Sequence, residues 1–214
     1  MIRIAVANVK GGTGKSTVAT HLAVHFAAQG FSTQILDLDR QRAASAWGVR
    51  RDASLPPVEV VEMDPDDLSA RPNAAYVVYD VPPGLRGKPL RRIVSVSDIV
   101  VVPMLPSVFD EAGTDRLNDL IDEQEGVVSG RVPVALVGNR VRRGSVAERR
   151  LSGFAEELGR PLVTTISDAQ LYGQLAAVGQ TVFDMPAHKV RSALREWAGL
   201  TDFVRARISE NAED

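Results

Sequence analysis

Cysteine is absent from the 214-residue chain, so disulfides and thiolate-held metals are excluded. Neither sign of charge dominates: 25 Lys and Arg face 27 Asp and Glu, a formal net charge of −2. A globally basic nucleic-acid binder is thereby excluded, and any DNA contact must use a local patch, be non-specific and respond to salt. No apolar run approaches the ~20 residues that cross a bilayer. The chain opens on strand-like sequence, which leaves no room for a signal peptide and predicts a cytoplasmic address. The two tryptophans, Trp47 and Trp197, read as packing residues rather than base-stacking ones.

What is present is ordinary for a globular protein: 44% hydrophobic and 24% charged residues, in a chain long enough for one sizeable core. One domain is expected over 1–214, with a frayed acidic tail at 209–214. Strand-like runs fall at 2–9, 33–38, 58–62, 75–81, 99–103, 132–139 and 161–166. Helical periodicity occupies 18–29, 107–123, 145–158, 170–178 and about 187–208. Several strands are almost wholly apolar, as required when helices cover both faces. The alternation predicts an α/β fold, a doubly wound, mostly parallel sheet with its ligand at the carboxyl ends of the strands. Segment 64–73 is the least regular, and there is no internal repeat.

The richest stretch is Lys10-Gly11-Gly12-Thr13-Gly14-Lys15-Ser16-Thr17, between the first strand and the first helix. Strand, glycine-rich turn and helix start form a phosphate cradle. Glycines let successive N–H groups converge, and the helix start adds unpaired donors and a partial positive charge. Lys15 supplies a full charge to β- and γ-phosphates, and Ser16 offers a hydroxyl to Mg²⁺. The general phosphate-loop pattern asks for glycine where Val9 stands; an extra lysine, Lys10, precedes the glycines instead.

Acids sit at later strand ends. Asp37 and Asp39 leave one strand on the same face and can orient water or complete a Mg²⁺ shell. Asp80 ends the apolar run Tyr76-Val77-Val78-Tyr79 and precedes Val81-Pro82-Pro83-Gly84, a loop suited to sensing a γ-phosphate. Asp110 follows Val101-Val102-Pro103-Met104-Leu105-Pro106-Ser107. Asn139 ends Leu136-Val137-Gly138, where its amide can both donate to and accept from a base edge. His21 and His25 are spaced i, i+4 without an evident third ligand, and read as helix-surface residues rather than a metal pair.

Together these motifs resemble the ParA/MinD superfamily of deviant Walker A ATPases, closest to the short ParA-type partition proteins, over roughly residues 1–204. The lack of cysteine separates the chain from the nitrogenase iron-protein branch. The resemblance implies binding and hydrolysis of ATP to ADP with Mg²⁺. Gly11, Gly12, Thr13, Gly14, Lys15, Ser16 and Thr17 hold phosphate. Lys10 is the signature lysine that reaches the partner subunit's nucleotide in an ATP-bound homodimer. Asp39 positions the attacking water with Asp37 in support. Asp80 holds Mg²⁺ through water, with Ser16 and Asp37, and Asn139 and Asp168 face the adenine. Two departures stand out: Arg40 and Ser167 occupy positions that are usually proline.

The implied function is partition or positioning: an ATP sandwich dimer binds nucleoid DNA and is switched off when a ParB-like or cargo-adaptor protein stimulates hydrolysis. Plasmid or chromosome segregation comes first; a carboxysome or chemoreceptor cluster is the alternative cargo. A MinD-like membrane role is disfavoured, because the chain ends in acids that anionic lipid repels. An ATP-dependent ligase on the same fold is disfavoured by Lys10 and the Asp80-Val81-Pro82-Pro83 sequence. Three basic clusters are candidate DNA contacts: Arg86, Lys88, Arg91 and Arg92; Arg142, Arg143, Arg149 and Arg150; and Lys189, Arg191 and Arg195. The last is preferred, on the outer flank of a C-terminal helix whose inner stripe includes Val190, Leu194, Trp197 and Val204.

Overall fold

The structure is a computed structural model that describes residues 1–67 and 72–213. Of the segment read as least regular, residues 68–71 lie outside the described residues. Seven strands, β1 (Ile2–Val6), β2 (Thr33–Asp37), β3 (Glu59–Glu62), β4 (Tyr76–Asp80), β5 (Ile99–Met104), β6 (Val134–Gly138) and β7 (Leu162–Thr165), form one sheet. Every pairing is parallel, in the order β3-β2-β4-β1-β5-β6-β7. The strand order reverses at β1, and the crevice above its carboxyl end is where such a sheet takes its ligand.

Among the described residues, eight α-helices, α1 (Lys15–Ala27), α2 (Ala43–Val49), α3 (Gly87–Val96), α4 (Val108–Asp122), α5 (Glu125–Val128), α6 (Val146–Glu157), α7 (Gln170–Ala176) and α8 (Ala187–Glu213), cover both faces. Period-two alternation splits the core accordingly. Ile4 and Val6 face α1 and α8, packing with Leu22, Phe26, Trp47 and Trp197. Ala5 and Ala7 face α3, α4 and α6, packing with Ile93, Leu117 and Leu151. Both tryptophans are buried in the first layer, as their reading as packing residues requires. None of the described helices is long and apolar enough to cross a membrane.

The structure differs from the sequence pattern at several points. The first strand stops at Val6 rather than residue 9, because Asn8 turns the chain into the loop. Its buried amide donates to the Pro103 carbonyl (2.8 Å) and the Thr114 hydroxyl (3.2 Å), and its oxygen accepts the Lys10 N–H (3.2 Å). Helices α2 and α3 were not among the predicted periodic segments; α2 is held at its start by Asp37 rather than by a neighbouring cap, and its Gly48 packs on Val60. His21, predicted on a helix surface, is buried, and α8 bends at Val190 (φ −128°, ψ 22°). The α8 backbone continues to Glu213, through the segment expected to fray.

Candidate functional site

The loop joining β1 to α1 depends on two left-handed glycines, Gly12 (φ 78°) and Gly14 (φ 93°). Gly14 caps α1 and accepts the first helical bond from Val18 N–H (2.9 Å). Asn139 packs so closely on it that a Cβ at Gly14 would lie 2.0 Å from the amide nitrogen. That nitrogen donates to the Thr13 carbonyl at 2.8 Å, and the Asn139 oxygen accepts the Arg140 N–H at 3.0 Å. Asn139 therefore braces the loop, with a second N–H and a second lone pair left for a ligand. Lys15 is 6% exposed, and its ammonium donates to the Lys10 carbonyl at 2.8 Å. Burial lowers its pKa, against the opposing pull of Asp80 and then Asp39.

Asp37 and Asp80 are register partners at the ends of β2 and β4, both fully buried, yet their surroundings differ. Asp37 accepts the Asp39 N–H (3.1 Å), the Ser45 N–H (2.8 Å) and the Ser45 hydroxyl (2.7 Å). Among the described residues neither oxygen of Asp80 has a hydrogen-bond partner. Burial pushes the Asp80 pKa up to about 7; the nearby Ser16 hydroxyl favours its charged form without reaching hydrogen-bond geometry, and Asp37 opposes it. A buried carboxylate with unused lone pairs, beside the Ser16 hydroxyl, is an oxygen donor set that fits a hydrated Mg²⁺. Asp39 is half-buried, accepts the Gln41 N–H at 3.0 Å, and lies close enough to Lys15 and Asp80 to act on both. Arg40 is exposed on the same loop.

Lys10 bends back onto α4. Its ammonium lies 3.4 Å from the Asp110 carboxylate, and its methylenes cross Gly113, where a Cβ would come within 3.1 Å of the lysine Cγ. On the other side of the loop a cavity of about 540 Å³ opens. Thr17, Asn139, Arg140, Ser167, Asp168 and Tyr172 line it, bringing together the two residues predicted to face a base. Asn8, Tyr172 and Glu196, whose carboxylate underpins this wall, were not revealed by the motifs, because each acts through tertiary contacts; Arg140 joins Tyr172 in lining the cavity.

The basic clusters separate. Lys189, Arg191 and Arg195 are exposed at the start of α8. Arg150 makes a two-point ion pair with Glu111 (2.6 and 2.8 Å), while Arg142, Arg143 and Arg149 remain exposed. Arg91 pairs with Glu123 at 3.3 Å.

The CobQ/CobB/MinD/ParA nucleotide binding domain matches residues 4–182. Maintenance of carboxysome distribution protein A of Halothiobacillus neapolitanus is 30% identical over 200 residues, 90% of this chain and 91% of that protein. Apo McdA from Cyanothece superposes with a TM-score of 0.74 at 13% identity, covering 94% of this chain and 98% of that one. The septum site-determining protein MinD of Pyrococcus horikoshii, complexed with Mg-ADP, superposes with a TM-score of 0.70 at 17% identity over 95% of each chain.

Proposed function

Since the chain belongs to the CobQ/CobB/MinD/ParA family of nucleotide-binding domains, we propose that it is a positioning ATPase that hydrolyses Mg-ATP in a two-copy assembly. The observation that carries this reading is the pairing of a glycine loop and buried Lys15 with Asp80, whose two buried oxygens have no protein partner. Residues 11–17 bind the phosphates, Ser16 and Asp80 hold Mg²⁺, and Asp37 fixes the loop that carries Asp39. The metal, when bound, neutralises phosphate charge. Asp39 then orients water toward the γ-phosphate, Asn139 and Asp168 bound the adenine, and Lys10 leaves Asp110 to reach the nucleotide of the second copy.

In this reading the ATP-bound dimer holds nucleoid DNA through Lys189, Arg191 and Arg195, doubled by the twofold axis. An adaptor protein ends the cycle by stimulating hydrolysis. The 30% identity to a carboxysome distribution protein across most of both chains favours a protein assembly as cargo over the plasmid or chromosome that the motifs put first. The test is a Mg²⁺-dependent ATPase assay with and without DNA. Slow turnover that DNA accelerates, and that Lys15→Ala abolishes together with nucleotide binding, is expected. Turnover that persists in Lys15→Ala sinks the phosphate-loop assignment. For DNA, the combined Lys189→Ala, Arg191→Ala and Arg195→Ala variant should flatten the log–log salt dependence by ~0.9 per lost phosphate contact. An unaltered slope removes this cluster from the interface.

A further inference from the structure

The base-side cavity is propped from behind by two consecutive residues of α8. Glu196 is only 5% exposed, and one of its carboxylate oxygens accepts the Ser167 N–H (3.0 Å), the Ser167 hydroxyl (2.9 Å) and the Tyr172 hydroxyl (3.4 Å). Ser167 and Tyr172 both line the cavity. Trp197, fully buried, stacks on the His21 ring with centroids 4.3 Å apart and planes 5° apart. His21 accepts the Val182 N–H at Nε2 (3.4 Å), so its Nδ1 carries the hydrogen and donates to the Thr17 carbonyl at 2.7 Å. Thr17 lines the same cavity.

A buried carboxylate is expensive unless it is fully hydrogen-bonded. Among the described residues no cation pairs with Glu196; three neutral donors hold one of its oxygens, and all three belong to the cavity-lining residues Ser167 and Tyr172. Burial pushes the Tyr172 hydroxyl up to about 12, so it remains a donor at neutral pH. A role confined to helix packing would be served by an apolar side chain like its neighbour Trp197. Ser167 adds a second indication. Its backbone N–H and its hydroxyl converge on the same oxygen of Glu196, a two-point hold that fixes the loop carrying Asp168.

We propose that Glu196 is a positioning residue for the nucleobase: by fixing Ser167 and Tyr172 it shapes the cavity to a purine and sets the base-dependent part of nucleotide affinity. This rests on the cavity being the base site of a bound nucleotide. The bonds that hold the phosphate loop, from Asn139 to the Thr13 carbonyl and from Lys15 to the Lys10 carbonyl, involve neither Ser167 nor Tyr172, so releasing those two residues leaves phosphate binding intact.

The experiment compares ATP with inorganic tripolyphosphate, both with Mg²⁺, by calorimetry on the full chain. Glu196→Met, which keeps the length but has no acceptor oxygen, should weaken ATP roughly three- to tenfold, about the worth of one hydrogen bond, with tripolyphosphate affinity unchanged. Ser167→Pro removes both of its donors and should reproduce the loss. The two changes combined should lose no more than the Glu196 change alone. Should Glu196→Met fail to fold, Ser167→Ala and Tyr172→Phe each delete one hydroxyl bond while the Ser167 N–H bond stays, and are read by the same ratio. A parental ATP-to-tripolyphosphate ratio in all folded variants, or an equal loss for both ligands, overturns the role of Glu196. Absence of ATP binding by the parent protein overturns the nucleotide reading itself.

Discussion

Asp37 and Asp80 stand side by side at the ends of neighbouring strands, equally buried, and only Asp80 is left without donors. The contrast makes the two acids separable by pH. The Asp80 pKa is raised from 3.8 to about 7, so between those values the folded chain keeps a proton that the unfolded chain has released. Stability contributed by this group is therefore lost as pH rises through that window. His21 and His25 act in the opposite direction. Burial lowers both from 6.5 to about 4, with Arg205 a second cause at His25, so stability rises with pH between those values. Asp80→Asn isolates the acid. The variant should gain on the parent by on the order of 4 kcal/mol between pH 4 and pH 8, at about 1.4 kcal/mol per unit. Urea denaturation of both proteins across that range measures the difference; superimposable pH profiles would contradict the burial argument.

Close backbone approach decides how two helices seat. Gly199 on α8 lies against β7 so tightly that a Cβ would fall 2.1 Å from the Val163 carbonyl oxygen. Gly153, inside α6, would meet nothing within 4 Å. Gly199→Ala should lift α8 and cost about 1–3 kcal/mol, whereas Gly153→Ala should stabilise by up to about 1 kcal/mol through helix propensity. Denaturant midpoints at constant slope check both, and equal shifts would mean that the α8–β7 contact is loose. The same contacts explain which elements were legible. The phosphate loop and the acids at strand ends are local patterns, each written within ten residues. Helix α2 is not: its start is fixed by Asp37, eight residues before Ser45, and its Gly48 exists for Val60. His21 looked like surface because polar residues at i, i+4 usually are; α8 and the turn Val182–Asp184 cover it from more than 150 residues away. Asn139 was legible as a strand-end amide, but its hold on Thr13 across 126 positions was not.

At the scale of the whole molecule, the contact between Lys10 and Asp110 decides what a second copy must undo. In the single chain the ammonium is parked on α4, with side-chain exposures of 37% for Lys10 and 8% for Asp110. A twofold assembly in which Lys10 reaches across to the other subunit's phosphates must first break that pair. The pair is partly in water, so it is worth roughly 1 kcal/mol, enough to shift the assembly several-fold without forbidding it. Asp110→Asn should therefore dimerise with Mg-ATP at several-fold lower protein concentration than the parent. Lys10→Ala should fail to dimerise, and adding Asp110→Asn to it should change nothing, because the acid acts only through the lysine. Light scattering across a concentration series, with ATP and Mg²⁺ present, reads all three. If Asp110→Asn weakens the dimer instead, the carboxylate works across the interface rather than holding Lys10 back. A Lys10→Ala protein that assembles like the parent would leave the twofold closure without its intersubunit cation, and ATP would have to join the copies by some other contact.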